Sequence, residues 1–225
     1  MHIDNAIRSR KSVRRFRPDA IPRATIEHIL ELAARAPSGN NVQPWHVQVV
    51  AGEIKDALCR DILTAAQHDA GTHAPEYAYY PDDWFEPYRG RRREVGFSLY
   101  HQLGIARDDT EARNIQMLRN FQFFDAPVGL LIGLDRRLNT GSYIDLGMFI
   151  QNILLAARGQ GLHSCAQAAF ANFHQVVRRH LPLPDEDILV CGIALGYEDG
   201  DAPENGLETP RAPVSEFAAF HGFEG

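Results

Sequence analysis

The chain has 225 residues, a hydrophobic fraction of 44% and a formal net charge of −6. That is enough apolar material for one well-buried core. It contains no run of about 18 apolar residues to predict a membrane span, its N-terminus lacks the apolar stretch of a signal peptide, and its acidity argues against the broad basic face that nucleic acid requires. The expectation is a cytoplasmic protein with neither membrane nor nucleic acid among its partners.

Cys59, Cys165 and Cys191 are odd in number, far apart and without a Cys-x-x-Cys pair, which predicts reduced thiols rather than disulfides or a metal site. No dinucleotide, P-loop, serine-hydrolase or His-Glu-x-x-His pattern occurs.

Asp4 reads as the cap of a short helix, NAIRSRK, with Ile3 and Ile7 on its buried side. RFRPDAI reads as extended, because Pro18 disfavours helix before it. From Pro22, Ile26, Ile29, Leu30 and Ala33 recur at helical spacing up to Ala36-Pro37. PSGNNVQPW is a loop by composition, HVQVVAG a strand, and residues 53 to 68 a helix. THAPEYAYYPDDWFEPYRGRRR has no clear period and reads as a long loop. Helical patterns return at 94–103 and 109–120. VGLLIGLD suits a strand buried on both faces. SYIDLGMFIQNILLAARGQGL is the longest helical pattern and is apolar around much of its circumference, so it needs cover on several sides; Gly159 or Gly161 can end it. HSCAQAAF reads as short strand or loop, Asn172 to His180 as helix and ILVCGIALGYED as the last strong strand. The tail ENGLETPRAPVSEFAAFHG reads as an extended arm with too few local contacts to order itself. The chain reads as one α+β or α/β domain, 1–225, without internal repeat or linker.

Three segments carry chemistry. In RSRKSVRRF, Arg8, Arg10, Lys11, Arg14 and Arg15 crowd into nine residues. Arg10, Ser12 and Arg14 alternate, so an extended backbone points them one way, toward a single anion; a solvated basic face is the alternative. In PSGNNVQPW, Ser38 and Gly39 permit close backbone approach to a flat heterocycle, and Asn40, Asn41 and Gln43 offer donors and acceptors for a ring edge. In TPRAP, Arg211 is held between prolines on a stiff extended backbone.

Together, and in this order, these segments resemble the FMN-dependent nitroreductase family. Further matches are Gly161-Leu162-His163-Ser164 and Leu195-Gly196-Tyr197. The resemblance implies an α+β fold with a central mixed β-sheet flanked by helices. It implies an intertwined homodimer, with residues near 204–225 as an exchanged C-terminal arm and 71–119 as a variable lid. FMN would sit at the dimer interface. Arg10 and Arg211 would hold its phosphate, with Ser12 and Lys11 nearby, and Arg14 would lie toward the N1/O2 edge of the ring. Pro37, Ser38, Gly39 and Asn41 of the other chain would contact ring and ribityl, as would Gln167 and Gly196. Ala166 stands where many relatives have proline.

The implied activity is a ping-pong oxidoreduction. A hydride from NADH or NADPH reaches flavin N5, and a nitroaromatic acceptor, including one bearing a carboxylate, or a quinone is then reduced. No protein residue need act as nucleophile or base; Arg14 would be an electrostatic stabiliser. Trp84, Tyr88 and Arg91 are the candidate acceptor contacts. Alternatives are a reductive dehalogenase of halogenated phenols, or a flavin-binding or flavin-transforming relative without nicotinamide turnover. The absence of any lysine between Gly71 and Arg119 weakens the first of these.

Overall fold

A computed structural model of the chain describes residues 1–223. The last two residues of the expected arm, 224 and 225, lie outside them. Four strands form one sheet: β1 (His46–Ala51), β2 (Val128–Asp135), β3 (His163–Gln167) and β4 (Asp187–Gly196), in the order β1-β2-β4-β3. Every neighbouring pair is antiparallel, which corrects the expectation of a mixed sheet. The apolar run read as buried on both faces is so because helices cover both faces of an antiparallel sheet.

Alternation divides the central strands between the two faces. Leu131 and Ala194 face a cluster built from α3 (Gly52–His68), α7 (His174–His180) and the phenylalanines 121, 123, 124, 170 and 173. Leu130, Ile132, Ile193 and Leu195 face α2 (Arg23–Ala33) and α6 (Thr140–Gly159). Phe123 and Phe170 stack at 4.3 Å. They lie directly on the sheet, because a Cβ on Gly129 would approach Phe123, and one on Gly192 would approach Phe170, to 2.5 Å.

The remaining helices are α1 (Ile3–Ser9), α4 (Tyr88–Gln102) and α5 (Thr110–Leu118). His2, not Asp4, caps α1: its Nδ1 accepts from the Asp4 N–H at 3.3 Å, leaving the Asp4 carboxylate in the first turn, where the helix dipole favours it. The buried side of α1 is Ala6, while Ile3 and Ile7 are exposed within one chain. The helix α4 begins at Tyr88, before residue 94, and absorbs the last six residues of the expected loop. Asp109 caps α5 through the Ala112 N–H at 2.9 Å. No helix of the described residues is long and apolar enough to cross a membrane.

Candidate functional site

The basic segment lies alongside β3. Ser12 bridges Ser164 in parallel, and the Val13 N–H donates to the Ser164 carbonyl at 3.2 Å. Alternation then puts Arg10, Ser12 and Arg14 on the side of Cys165. Burial pushes that thiol up, while the Arg14 and Arg10 charges and a hydrogen bond with Ser12 oppose the shift. The other edge of the segment is tied to the start of the tail. The Asn205 side chain accepts from the Arg14 N–H at 2.7 Å and donates to the carbonyls of Arg15 and Asp199.

That tie brings the two ends of the chain together. Arg10, Lys11, Arg158, His163, Glu198 and Arg211 all line one cavity of about 790 Å³. Lys11 is already engaged: its Nζ donates to the Asn205 carbonyl at 2.7 Å and pairs with Glu198 at 2.6 Å. Arg10 makes no side-chain hydrogen bond or ion pair among the described residues. Arg211 curls one nitrogen onto Thr209 and Pro210, and its other two nitrogens make no hydrogen bond among the described residues. Arg8, which lines the same cavity, makes no side-chain hydrogen bond or ion pair among the described residues either, so Arg8, Arg10 and Arg211 are cations open to an added anion. Beside them, burial and then Arg158 push the His163 imidazole down to about 4, against the pull of Glu198, whose Oε2 lies 3.0 Å away.

At the far end of β3 is a second cavity, of about 570 Å³. Tyr77, Tyr79 and Tyr80 wall it, and Asn120, Ala166 and Gln167 line it. Gln167 is buried; its Nε2 donates to the Asn120 carbonyl at 2.7 Å, while Oε1 has no partner. Strand rise of about 3.3 Å per residue puts His163 and Gln167 about 13 Å apart.

The other expected site residues fall elsewhere. Ser12 and Arg14 lie beside β3 but line neither cavity. Pro37, Ser38, Gly39 and Asn41 sit on the α2–β1 loop, outside both cavities. The Gly39 N–H donates to Asp145 on α6 at 3.2 Å, and Asn40, Asn41 and Gln43 have positive φ. Gly196 is buried in β4, where a Cβ would come within 2.9 Å of Phe16 and Pro127; packing alone accounts for that glycine. Trp84 packs on Tyr80 at 5.4 Å and carries the Arg92 guanidinium at 4.9 Å. Tyr88 meets Phe85 edge-on at 5.2 Å. Arg91 pairs with Glu216 of the tail at 3.1 Å. None of these last three lines the aromatic cavity.

The model of the Nitroreductase family matches residues 7–197. The chain belongs to that family. Among relatives of this nitroreductase, 4-nitrobenzoate reductase of Nocardioides sp. strain LMS-CY is 44% identical, covering 96% of this chain and 89% of that one. A 4-nitrobenzoate reductase of Pseudomonas putida is 40% identical over 98% and 96%. The solved structure of the FMN and NADPH-dependent nitroreductase NfnB from sphigopyxis sp. strain HMH superposes with a TM-score of 0.96, at 37% identity, covering 99% of this chain and 100% of that one.

The nitroreductase chain fits a flavin mononucleotide on its own chemistry. Arginines without carboxylate partners, Arg10 and Arg211 among them, suit a phosphate. A strand's length away, amides and a buried carbonyl oxygen lacking a donor suit a ring edge. Sequence reasoning missed Asn205, Tyr77, Tyr80 and Asn120. Their signal is spatial: Asn205 is 191 residues from Arg14, and a lone tyrosine or asparagine carries no spacing to notice.

Proposed function

We propose that this chain is an FMN-dependent oxidoreductase that takes reducing equivalents from NADH or NADPH and reduces nitroaromatic acceptors. Nitrobenzenes bearing a carboxylate are the acceptor class we favour. The convergence of Arg10 and Arg211, from opposite ends of the chain, on the cavity at one end of β3 carries the proposal. The names of the relatives support the acceptor class, and NfnB supports FMN and NADPH.

In this reading the whole chain is one nitroreductase unit with a lid near 71–119 and an arm near 204–225. It works as a cytoplasmic homodimer. Within one chain the 37–41 loop lies outside the cation cavity, so a site using both needs a second copy. Exposed Ile3, Ile7, Ile144, Phe217 and Phe220 support such an interface.

FMN, when bound, supplies hydride acceptance and donation at N5. Arg10 and Arg211 hold its phosphate, with Ser12 close by and Lys11 held back by Glu198. Arg14, on the same segment as Arg10, would supply positive charge to a reduced ring. Gln167 and Asn120 orient the ring edge. Tyr77, Tyr79 and Tyr80 shield the acceptor from water.

The test is anaerobic. Purified protein reconstituted with FMN should lose its yellow colour on addition of NADH or NADPH and regain it with 4-nitrobenzoate. Colour that persists after both nicotinamides are added would overturn the proposal.

A further inference from the structure

Residues 74–84 form a strap between the end of α3 and α4. Among the described residues, no backbone–backbone hydrogen bond joins this strap to the rest of the chain. Two consecutive side chains hold it instead. The Tyr77 hydroxyl donates to the Val190 carbonyl at 2.6 Å. Glu76, largely buried, accepts from Arg136 Nη2 at 2.8 Å; its other oxygen lies 3.3 Å from His174 Nδ1 and 3.7 Å from Arg178. Both arginines are themselves fixed. Arg136 donates to the carbonyls of Asp185 and Asp187, and Arg178 to that of Pro184. The clamp is thus preorganised, and its buried carboxylate is matched by charge from two separate elements. Immediately beyond it, Tyr79 and Tyr80 wall the cavity that reaches Gln167.

We propose that Glu76 is a positioning residue for the electron acceptor: its ion pairs with Arg136 and Arg178, beside His174, fix the strap, and so the distance between the tyrosine wall and Gln167. The assignment rests on the reductase reading of that cavity. Glu76 touches neither acceptor nor cofactor in this role. It sets how tightly an aromatic acceptor is held and has no part in gripping FMN.

The experiment compares wild type with Glu76→Gln, Arg136→Met and Tyr80→Ala, each loaded with FMN. Glu76→Gln and Arg136→Met should raise the KM for 4-nitrobenzoate about tenfold and change kcat less than twofold. The FMN Kd and the flavin midpoint potential should stay at wild-type values. Limited proteolysis by a protease of broad specificity should cut faster within residues 74–82 in these two variants. Tyr80→Ala removes wall and keeps clamp, so it should raise KM without faster cleavage. An unchanged KM in folded Glu76→Gln, or an FMN Kd that rises in step with KM, would overturn the assignment. Should the clamp variants not fold, an unchanged KM in Tyr80→Ala overturns it. A wild-type protein that ignores FMN sinks the reductase reading separately; the proteolysis of the strap does not depend on turnover.

Discussion

Arg14 has its main-chain N–H fixed by Asn205, while among the described residues its guanidinium reaches only the Ser12 carbonyl, at 3.3 Å. Its charge is therefore not cancelled by a carboxylate, which is what a stabiliser of a reduced ring needs. Arg14→Ala should retain FMN, lower its midpoint potential and slow its reduction; an unchanged potential and rate would remove Arg14 from the role. In the proposed function Arg10 and Arg211 act in binding. Charged hydrogen bonds are worth about 1.5–3 kcal/mol, so either change to alanine should weaken FMN affinity roughly ten- to hundredfold, measured by flavin fluorescence titration. Glu204 is structural. It is buried between Arg119 and Arg15, holding the base of the tail beside Asn205. Burial raises its carboxyl, but its own backbone N–H and the Arg119 and Arg15 guanidinium groups lower it further, leaving it below the ordinary 4.5. A depressed carboxyl stabilises the fold above its unfolded value, and that contribution fades as pH falls through the folded one. Because Asp125 still pairs with both arginines, Glu204→Ala should cost about 1.5–3 kcal/mol in urea unfolding at pH 7, and the difference from wild type should shrink below pH 4.5. An equal deficit at pH 3 would contradict this account.

At the scale of elements, periodicity was legible wherever packing is local. The patterns for α2, α3, α6, β1, β2 and β4 are present in the residues, because local spacing marks each apolar face or run, while HSCAQAAF left β3 open between strand and loop. Strand direction was not legible. VGLLIGLD is apolar throughout under either parallel or antiparallel pairing, since both faces are covered. The extent of α4 was missed because none of its residues is buried, so it has no apolar stripe to read. Gly192 illustrates a constraint visible only in three dimensions. The ring of Phe170, stacked on Phe123, occupies the space a Cβ would take. Gly192→Ala should destabilise the fold by about 1–3 kcal/mol through overpacking, detectable as a lower urea midpoint at unchanged slope. A midpoint equal to wild type would show that the phenylalanine pair can yield.

At the scale of the molecule, the proposed homodimer makes FMN binding depend on protein concentration. Sedimentation at micromolar concentration should give a two-copy species, and dilution that dissociates it should release FMN in parallel. FMN retained by a single copy would show that the 37–41 loop of the partner is dispensable. The long α6 fits this view: Leu146, Phe149 and Ile153 face the chain's own core while Ile144 stays exposed. A helix apolar on most sides can serve a core and an interface at once.

The sequence by itself determined the local periods, the apolar stripes and the crowding of cations between Arg8 and Arg15, because these depend only on spacing along the chain. It also carried the family resemblance, through contiguous motifs. Only the tertiary structure decided which cations are free and which are matched. Lys11 is drawn to Glu198, 187 residues away, and Arg91 to Glu216, 125 residues away. Charge is a property of a residue, but its neutralisation is a property of the neighbours that folding brings. For the same reason the strap at Glu76 stayed invisible: its anchors, Arg136, His174 and Arg178, come from segments with no sequence relation to it.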